Sequence, residues 1–462
     1  MSAAEPGNIV RRLRAWHLVV IAIVLALFAV IAAALVYRQL GLSQYRAVLA
    51  KLKAAGQPTT IDDFVAWAPE VDVGDQAAFA RWMKSHVGTS KRRTGADVNA
   101  WSAWVSGHAP EPVGIRAEVD GQRAAMVDAL TVLRRGRLVL STLGWAAQEL
   151  PPDKRQWPGL HAMQQTVNQP AVFDLVAWLH HDTVLSTDPT QGLRDLDALH
   201  AATGRPGSVY DTWHVSIQCS AFRDRTYFEL ALRNRLPAAS RERWLAEPAR
   251  SHVLMADAFR GARLFDLNYT VDSFENGPNR YPPLSTETWR YLPYYLPTWI
   301  TIFGECAYVA DVEARFEARL RDQHSAPPPT NAVVSARLSG LGYISAPNLF
   351  EFAILAVDDD ANHRIGRLAM RILELAHTGT LPADGAELTQ RLGEAHVLDP
   401  GGDHLRLLYE RFGDRRFRLT IDPTSPTPSY YDASRLTIRR PAASPSPLPY
   451  RWFPPFELEL PP

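Results

Sequence analysis

LVVIAIVLALFAVIAAALV, residues 18–36, is a run of nineteen residues without a charge. As a helix it would be about 28 Å long, close to the roughly 30 Å hydrocarbon core of a bilayer. Trp16 and Tyr37 stand at its two ends, where amphipathic rings favour the headgroup level, and they mark the limits of a predicted membrane anchor. Arg11, Arg12 and Arg14 precede the run, and no acidic residue lies between Glu5 and Asp62. Short basic arms resist translocation, so the N-terminus is expected in the cytoplasm and the bulk of the chain outside it. Ala32-Ala33-Ala34 offers a signal-peptidase pattern, but the apolar run continues through Leu35 and Val36 without a polar break, which favours an uncleaved anchor. No cysteine lies near the span, which excludes a lipoprotein.

Outward from the span, Tyr45, Val48, Leu49 and Leu52 share one face of a helical continuation, read as a stalk closed by Gly56-Gln57-Pro58. Thr60-Ile61-Asp62-Asp63 reads as a capping box for a short helix through Trp67. Helical periods follow over 76–87, 120–143, 172–185, 193–202, 209–236 and 238–264. Short connections between the middle helices favour antiparallel neighbours. Residues 276–297 are rich in Pro and aromatics and break the pattern; a helix is expected from Thr298 to about Asp322. A further helical region, 347–377, is expected to be interrupted at Asp358-Asp359-Asp360. From Leu398 the period changes to two: 404–409 and 416–421 read as strands joined through Gly413-Asp414. The tail from Pro441 is Pro- and Ser-rich, with Trp452, Phe453 and Phe456 favouring partial docking.

The expected fold is therefore mainly α: a transmembrane helix, then a helical bundle or irregular helical-hairpin array with a small C-terminal β-hairpin. The boundaries read as a cytoplasmic arm 1–15, an anchor 16–37, a helical stalk 38–56, a helical ectodomain 57–397, a hairpin segment 398–440 and a Pro-rich tail 441–462. No motif recurs at a fixed interval, so a regular solenoid is not indicated.

The chain has 49 basic and 49 acidic residues among 462, which argues against a nucleic-acid partner. Scarce lysine beside abundant arginine and alanine suggests a GC-rich bacterial genome. Cys219 and Cys306 are the two cysteines; in an exported protein they could pair, and buried free thiols are the alternative. The His180-His181-Asp182 cluster does not have metal-ligand spacing, since adjacent side chains on a helix point about 100° apart. His214 lies on a different helix face from Cys219, so a Cys nucleophile beside Asp224 is not supported. No HExxH, GxSxG, P-loop or dinucleotide fingerprint occurs. Asp358–Asp360 does not have the alternating oxygens of a calcium loop and reads as a solvated helix break. No catalytic residue, cofactor or metal is assigned. Tyr291, Tyr294, Tyr295 and Trp299 form the best candidate interaction surface, a membrane-facing patch or partner groove, with a core wedge as the plainer reading.

Four stretches carry a resemblance: GQPTTIDDFVAWAP, RDLDALHAATGRP, WHVSIQCSAFRDRTYFELAL, and LAMRILELAHTGTLPADGAEL followed by LDP and YERFGDRRFRL. With the single span and stalk, these resemble a family of uncharacterised membrane-anchored helical proteins of planctomycete-type bacteria, over about residues 15–422. The resemblance implies a fold and brings no activity or site residue. The hairpin after LDP is also similar to the last strands of pseudopilins, but the N-terminus departs from the prepilin pattern. The expected function is an envelope binding or scaffolding protein of the bacterial inner membrane, with lipid bound through the anchor and a protein partner. The alternatives are a periplasmic hydrolase or lyase using a carboxylate such as Glu305 or Asp257, and a secretion or pilus-assembly accessory protein.

Overall fold

The computed structural model describes residues 6–57, 59, 72–86, 95–140, 169–204, 212–270, 274, 292–322, 325, 328, 349–393, 407–421, 449–452 and 456–460. These are mainly helical, with twelve α-helices, a π-helical turn and a four-stranded antiparallel sheet. The short helix expected after Thr60 lies outside the described residues.

Helix α1, Pro6–Ala54, carries the apolar run and the segment beyond it without interruption. It is the one helix long and apolar enough to cross a membrane among the described residues. Trp16 and Tyr37 are both exposed on it. It ends where the sequence has its first glycine after the stalk. Gly56, at φ +66°, donates to the Lys53 carbonyl and Gln57 to the Leu52 carbonyl, both at 3.0 Å. That pair of bonds is a Schellman cap, and it needs the left-handed conformation that glycine adopts without strain.

Two compact units emerge. The first comprises residues 1–59, 265–311 and 331–347; the second comprises 60–264, 312–330 and 348–462.

In the first unit, α1 packs with the end of α9 (Ser251–Thr270) and with α10 (Leu292–Arg321). Ala34, Arg38, Gly41, Tyr45, Val48 and Leu52 of α1 are buried or half-buried and are spaced alternately by four and three, with half-buried Leu42 and Leu49 beside them. That 3.5-residue seam is how a helix keeps one face toward a neighbour. Tyr45 donates to the Leu267 carbonyl at 2.5 Å and meets Phe303 edge-on at 5.6 Å. Closest approach is at Gly41, where an added Cβ would stand 2.8 Å from the backbone nitrogen of Gly304. A Cβ on Gly304 would meet Gly41 at an ordinary 3.7 Å. Gly41→Leu is therefore expected to cost about 1–3 kcal/mol through forced separation of the backbones. Gly304→Ala is expected to be near neutral or stabilising, since Ala in a helix gains up to about 1 kcal/mol over Gly. Thermal unfolding in detergent micelles distinguishes the two; equal effects would sink this account of the contact.

The second unit holds α2 (Val73–Ser85), α3 (Gly95–Val105), α4 (Ile115–Leu133), α5 (Gln169–Leu185), α6 (Thr190–Thr203), the π turn Thr212–Ile217, α7 (Gln218–Leu232), α8 (Ala238–Ala246), α11 (Leu349–Thr378) and α12 (Gly385–Leu392). It also holds the start of α9 and the end of α10. Helix α7 is central, packed against α5, α6 and α11. Strands β1 (Leu407–Phe412), β2 (Arg416–Ile421), β3 (Tyr450–Arg451) and β4 (Phe456–Glu459) form the sheet, in the order β1-β2-β4-β3.

Several expectations are corrected. The helix read over 120–143 is Ile115–Leu133; beyond a turn, Leu138–Leu140 run extended, with the Gln76 amide bonded to both the N–H and the carbonyl of Val139. The helix read over 238–264 is two helices, because Glu247 precedes Pro248 and takes the extended conformation (φ −72°, ψ 128°) that a following proline favours. Helix α10 begins at Leu292, not Thr298; Pro293 sits in its first turn, where it is tolerated, and Pro297 lies inside it. Helix α11 is continuous through Asp358-Asp359-Asp360. The hairpin appears as expected, with Gly413 at φ +72°, but the tail doubles it into a sheet. Trp452 and Phe456 are buried there; Phe453 lies outside the described residues.

Candidate functional site

Helix α7 reads QCSAFRDRTYFELAL, and its polar side chains reach out to the helices around it. Arg223 binds Asp197 of α6 at 2.7 Å and Glu247 at 2.6 Å. Tyr227 donates to Asp197 at 3.0 Å, and Arg243 of α8 reaches the same carboxylate at 2.6 Å. Asp224 accepts from Trp244 Nε1 at 2.8 Å and from His363 Nδ1 of α11 at 2.6 Å. On another side of the helix, Glu229 accepts from Trp101 Nε1 at 3.0 Å and Arg225 Nε at 2.6 Å, with His180 Nε2 at 3.4 Å. Thr226 gives its only hydroxyl proton to the Phe222 carbonyl, so His180 Nδ1, 2.8 Å away, is the donor to Thr226 Oγ1.

The electrostatics follow from burial and pairing. Burial alone would push His363 toward neutrality, yet the Asp224 carboxylate beside it raises its pKa to about 9. Its other ring nitrogen donates to the Glu247 carbonyl at 3.1 Å. Both nitrogens of the imidazolium are thus engaged, and no lone pair remains for a base or metal ligand. Burial works against ionisation of Asp224, but the His363 and Arg223 charges and the hydrogen bonds from His363 and Trp244 hold its carboxyl below the usual range. His200 goes the other way: burial and the Arg223 charge lower it to about 4.

A second cluster joins α11 to the start of α9. Asp360 accepts from the backbone N–H groups of Ser251 and His252 at 2.8 and 3.1 Å, a carboxylate cap supplied from another helix. His252 Nδ1 also sits 2.5 Å from Asp360. Asp359 meets Ser251 Oγ at 2.5 Å, and burial pushes its pKa up to about 8. Ser251 and His252 face different carboxylates, so the pair does not make a nucleophile and base.

These shifts predict an unusual stability profile. A raised folded-state pKa gives stability that is complete below the unfolded value and is lost as pH rises through the folded one. For Asp359 the loss runs from pH 3.8 to about 8; for His363 it runs from 6.5 to about 9. His200, lowered, adds stability between about 4 and 6.5 and is flat above that. From pH 6.5 to 8 two terms fall together, each by about 1.4 kcal/mol per pH unit at most. Asp359→Asn should flatten the fall in that window and raise stability at pH 8, read as unfolding midpoints across pH. An unchanged slope would overturn the assignment.

The sequence-derived candidates land as follows. Trp299 is half-buried on α10, Tyr294 and Tyr295 lie in the first turns of that helix, and Tyr291 lies outside the described residues. No disulfide joins Cys219 and Cys306; Cys219 is buried, its thiol pushed up to about 12 by that burial. His180 is fully buried. Asp257 is paired with Arg321 in the second unit, whereas Glu305 is buried in the first. Asp359 and Asp360 are buried, not solvated, and were missed as structural anchors, as was His363. Their partners lie more than a hundred residues away, so no local pattern signals them. Among the described residues no three His, Cys, Asp or Glu side chains are placed to hold a metal ion. Comparison with family models, curated proteins and solved structures returns no match.

Proposed function

We propose that this chain is a single-pass protein of the bacterial inner membrane, N-terminus cytoplasmic, whose extracytoplasmic helical part binds or scaffolds another envelope component. The observation that carries the reading is α1: its side chains from Trp16 to Ala33 are exposed throughout, including twelve large hydrophobic ones. So much contiguous apolar surface is stable in lipid and not in water. The arginines before it support the orientation. In the polar clusters described in the second unit the buried charges are bound to one another, which fits a structural framework for a binding surface. The layout also fits the planctomycete-type family that the sequence resembles. The hydrolase or lyase alternative is less favoured, because Asp257 is held in an ion pair with Arg321.

Crosslinking in intact cells, detergent extraction and mass spectrometry test the reading. The expected result is membrane-fraction protein with a reproducible partner crosslinked through the region after residue 56. Release from membranes by alkaline wash would overturn the anchor, and partner-free protein across growth conditions would overturn the scaffold role.

A further inference from the structure

A second stretch of the chain carries no charge: YLPYYLPTWITIFG, residues 291–304, between Arg290 and Glu305. At fourteen residues it is too short to span a bilayer and long enough to lie in its interface. Its place beside α1 gives it a direction. The Arg38 guanidinium lies 4.1 Å from the Trp299 ring centroid and 4.7 Å from that of Phe303, and donates to the carbonyls of Trp299 and Phe274. Three residues further along α1, Gly41 meets Gly304. Advancing along α1 from 38 to 41 therefore advances along α10 from 299 to 304, and the two helices run the same way. Residues 292–298 then lie on the other side of Arg38, back toward the apolar run of α1. Seven residues of helix cover about 10 Å, the depth from headgroups into the first acyl carbons.

Burial agrees with this. The α1 seam continues one turn into the apolar run, at half-buried Ala34. On α10, Leu296 is 40 % exposed, and Ile300, one turn on, is half-buried. Tyr and Trp at such a depth are the residues that headgroups favour.

We propose that the first turns of α10, from Leu292 to about Ile300, are a second membrane contact, seated in the phospholipid headgroup and outer acyl layer of the leaflet from which α1 emerges. The proposal rests on the anchor reading. It makes α1 and α10 a two-point mount, with Arg38 tying both helices together at the level of the membrane surface. A single helix leaves a domain free to tilt and rotate about its axis; an interfacial helix clamped to it by Arg38 and the glycine contact removes much of that freedom.

Spin labels test this on the full chain in phosphatidylcholine–phosphatidylglycerol vesicles, with Cys219→Ala and Cys306→Ala as background. Labels at Leu296→Cys, at Leu27→Cys in the span, and at Val127→Cys on α4 report collisions with oxygen, which enriches in lipid, and with a water-soluble nickel chelate. The expected result is an oxygen-to-nickel ratio at position 296 several-fold above that at 127 and approaching that at 27. A ratio at 296 equal to that at 127, with 27 in lipid, overturns the interfacial seat and leaves the anchor standing. A water-accessible label at 27 overturns both. Low collision with both reagents at 296 means that a protein surface covers it, and also overturns the proposal. Should the cysteine-free chain not fold, a benzoylphenylalanine at 296 in the native chain gives the same decision: a lipid adduct supports the seat, and a peptide adduct or none overturns it.

Discussion

A chain that stops at Leu448 is expected not to hold the second unit folded. The removed tail supplies Tyr450, Trp452, Phe456 and Leu458, each 5 % exposed or less. At about 2 kcal/mol or more for each buried large side chain, these contribute on the order of 8–10 kcal/mol, comparable with the whole stability of a typical domain. The rings of Tyr450, Trp452 and Phe456 close around Phe228 of α7, with centroids 6.0, 5.5 and 5.3 Å away. Gly366 of α11 is what admits the Trp452 ring: a Cβ there would come within 2.8 Å of it. The truncation also strips β2 of its second partner and leaves Arg418, 2 % exposed, without the Glu457 carboxylate at 3.0 Å. Protease sensitivity and loss of a cooperative thermal transition are the readouts. Trp452→Ala should reproduce part of the loss, about 3–5 kcal/mol. A truncated chain that unfolds at the native midpoint would show that the tail only lies on the surface.

That tail shows what a sequence reading reaches and where it stops. The α1 span is legible because its signal is local: nineteen uncharged residues need no partner to be recognised. The face formed by Tyr45, Val48, Leu49 and Leu52 is legible for the same reason, since periodicity is written into neighbouring positions; Tyr45 and Leu52 lie in the core with Ile302 and Phe303, and Val48 and Leu49 pack against it. The β1–β2 hairpin follows from alternation and a Gly413-Asp414 turn. Residues 449–459 carry no such signal. Four prolines crowd the stretch around them, and only pairing with β2, forty residues earlier, makes Phe456–Glu459 a strand. Asp358-Asp359-Asp360 misleads by the same logic. Three adjacent carboxylates look like solvated chain, but two of them find backbone and hydroxyl donors at the start of α9, more than a hundred positions away. Of the candidate surface, Trp299 was visible as an aromatic; its stacking with Arg38 was not, because that contact crosses 261 positions.

Asp224→Ala should be among the most damaging single substitutions in the protein, at about 3–5 kcal/mol, because it breaks a buried ion pair by removing one partner. Asp224 is 2 % exposed and holds His363 at 2.6 Å and the Trp244 indole N–H at 2.8 Å. Without the carboxylate, His363 can no longer keep its proton at neutral pH, and its Nδ1 and the indole N–H both lose an acceptor. Asp224→Asn should cost less: its amide oxygen still accepts from Trp244 and its volume is kept, while the ring turns neutral in either variant. If the penalty comes from the broken pair and not from lost volume, Asp224→Ala combined with His363→Phe should be less destabilised than the sum of the two single variants. Unfolding midpoints for the four proteins close that cycle, and proton NMR of His363 in the native chain should find it protonated well above pH 7. Strict additivity would mean that the two side chains act separately.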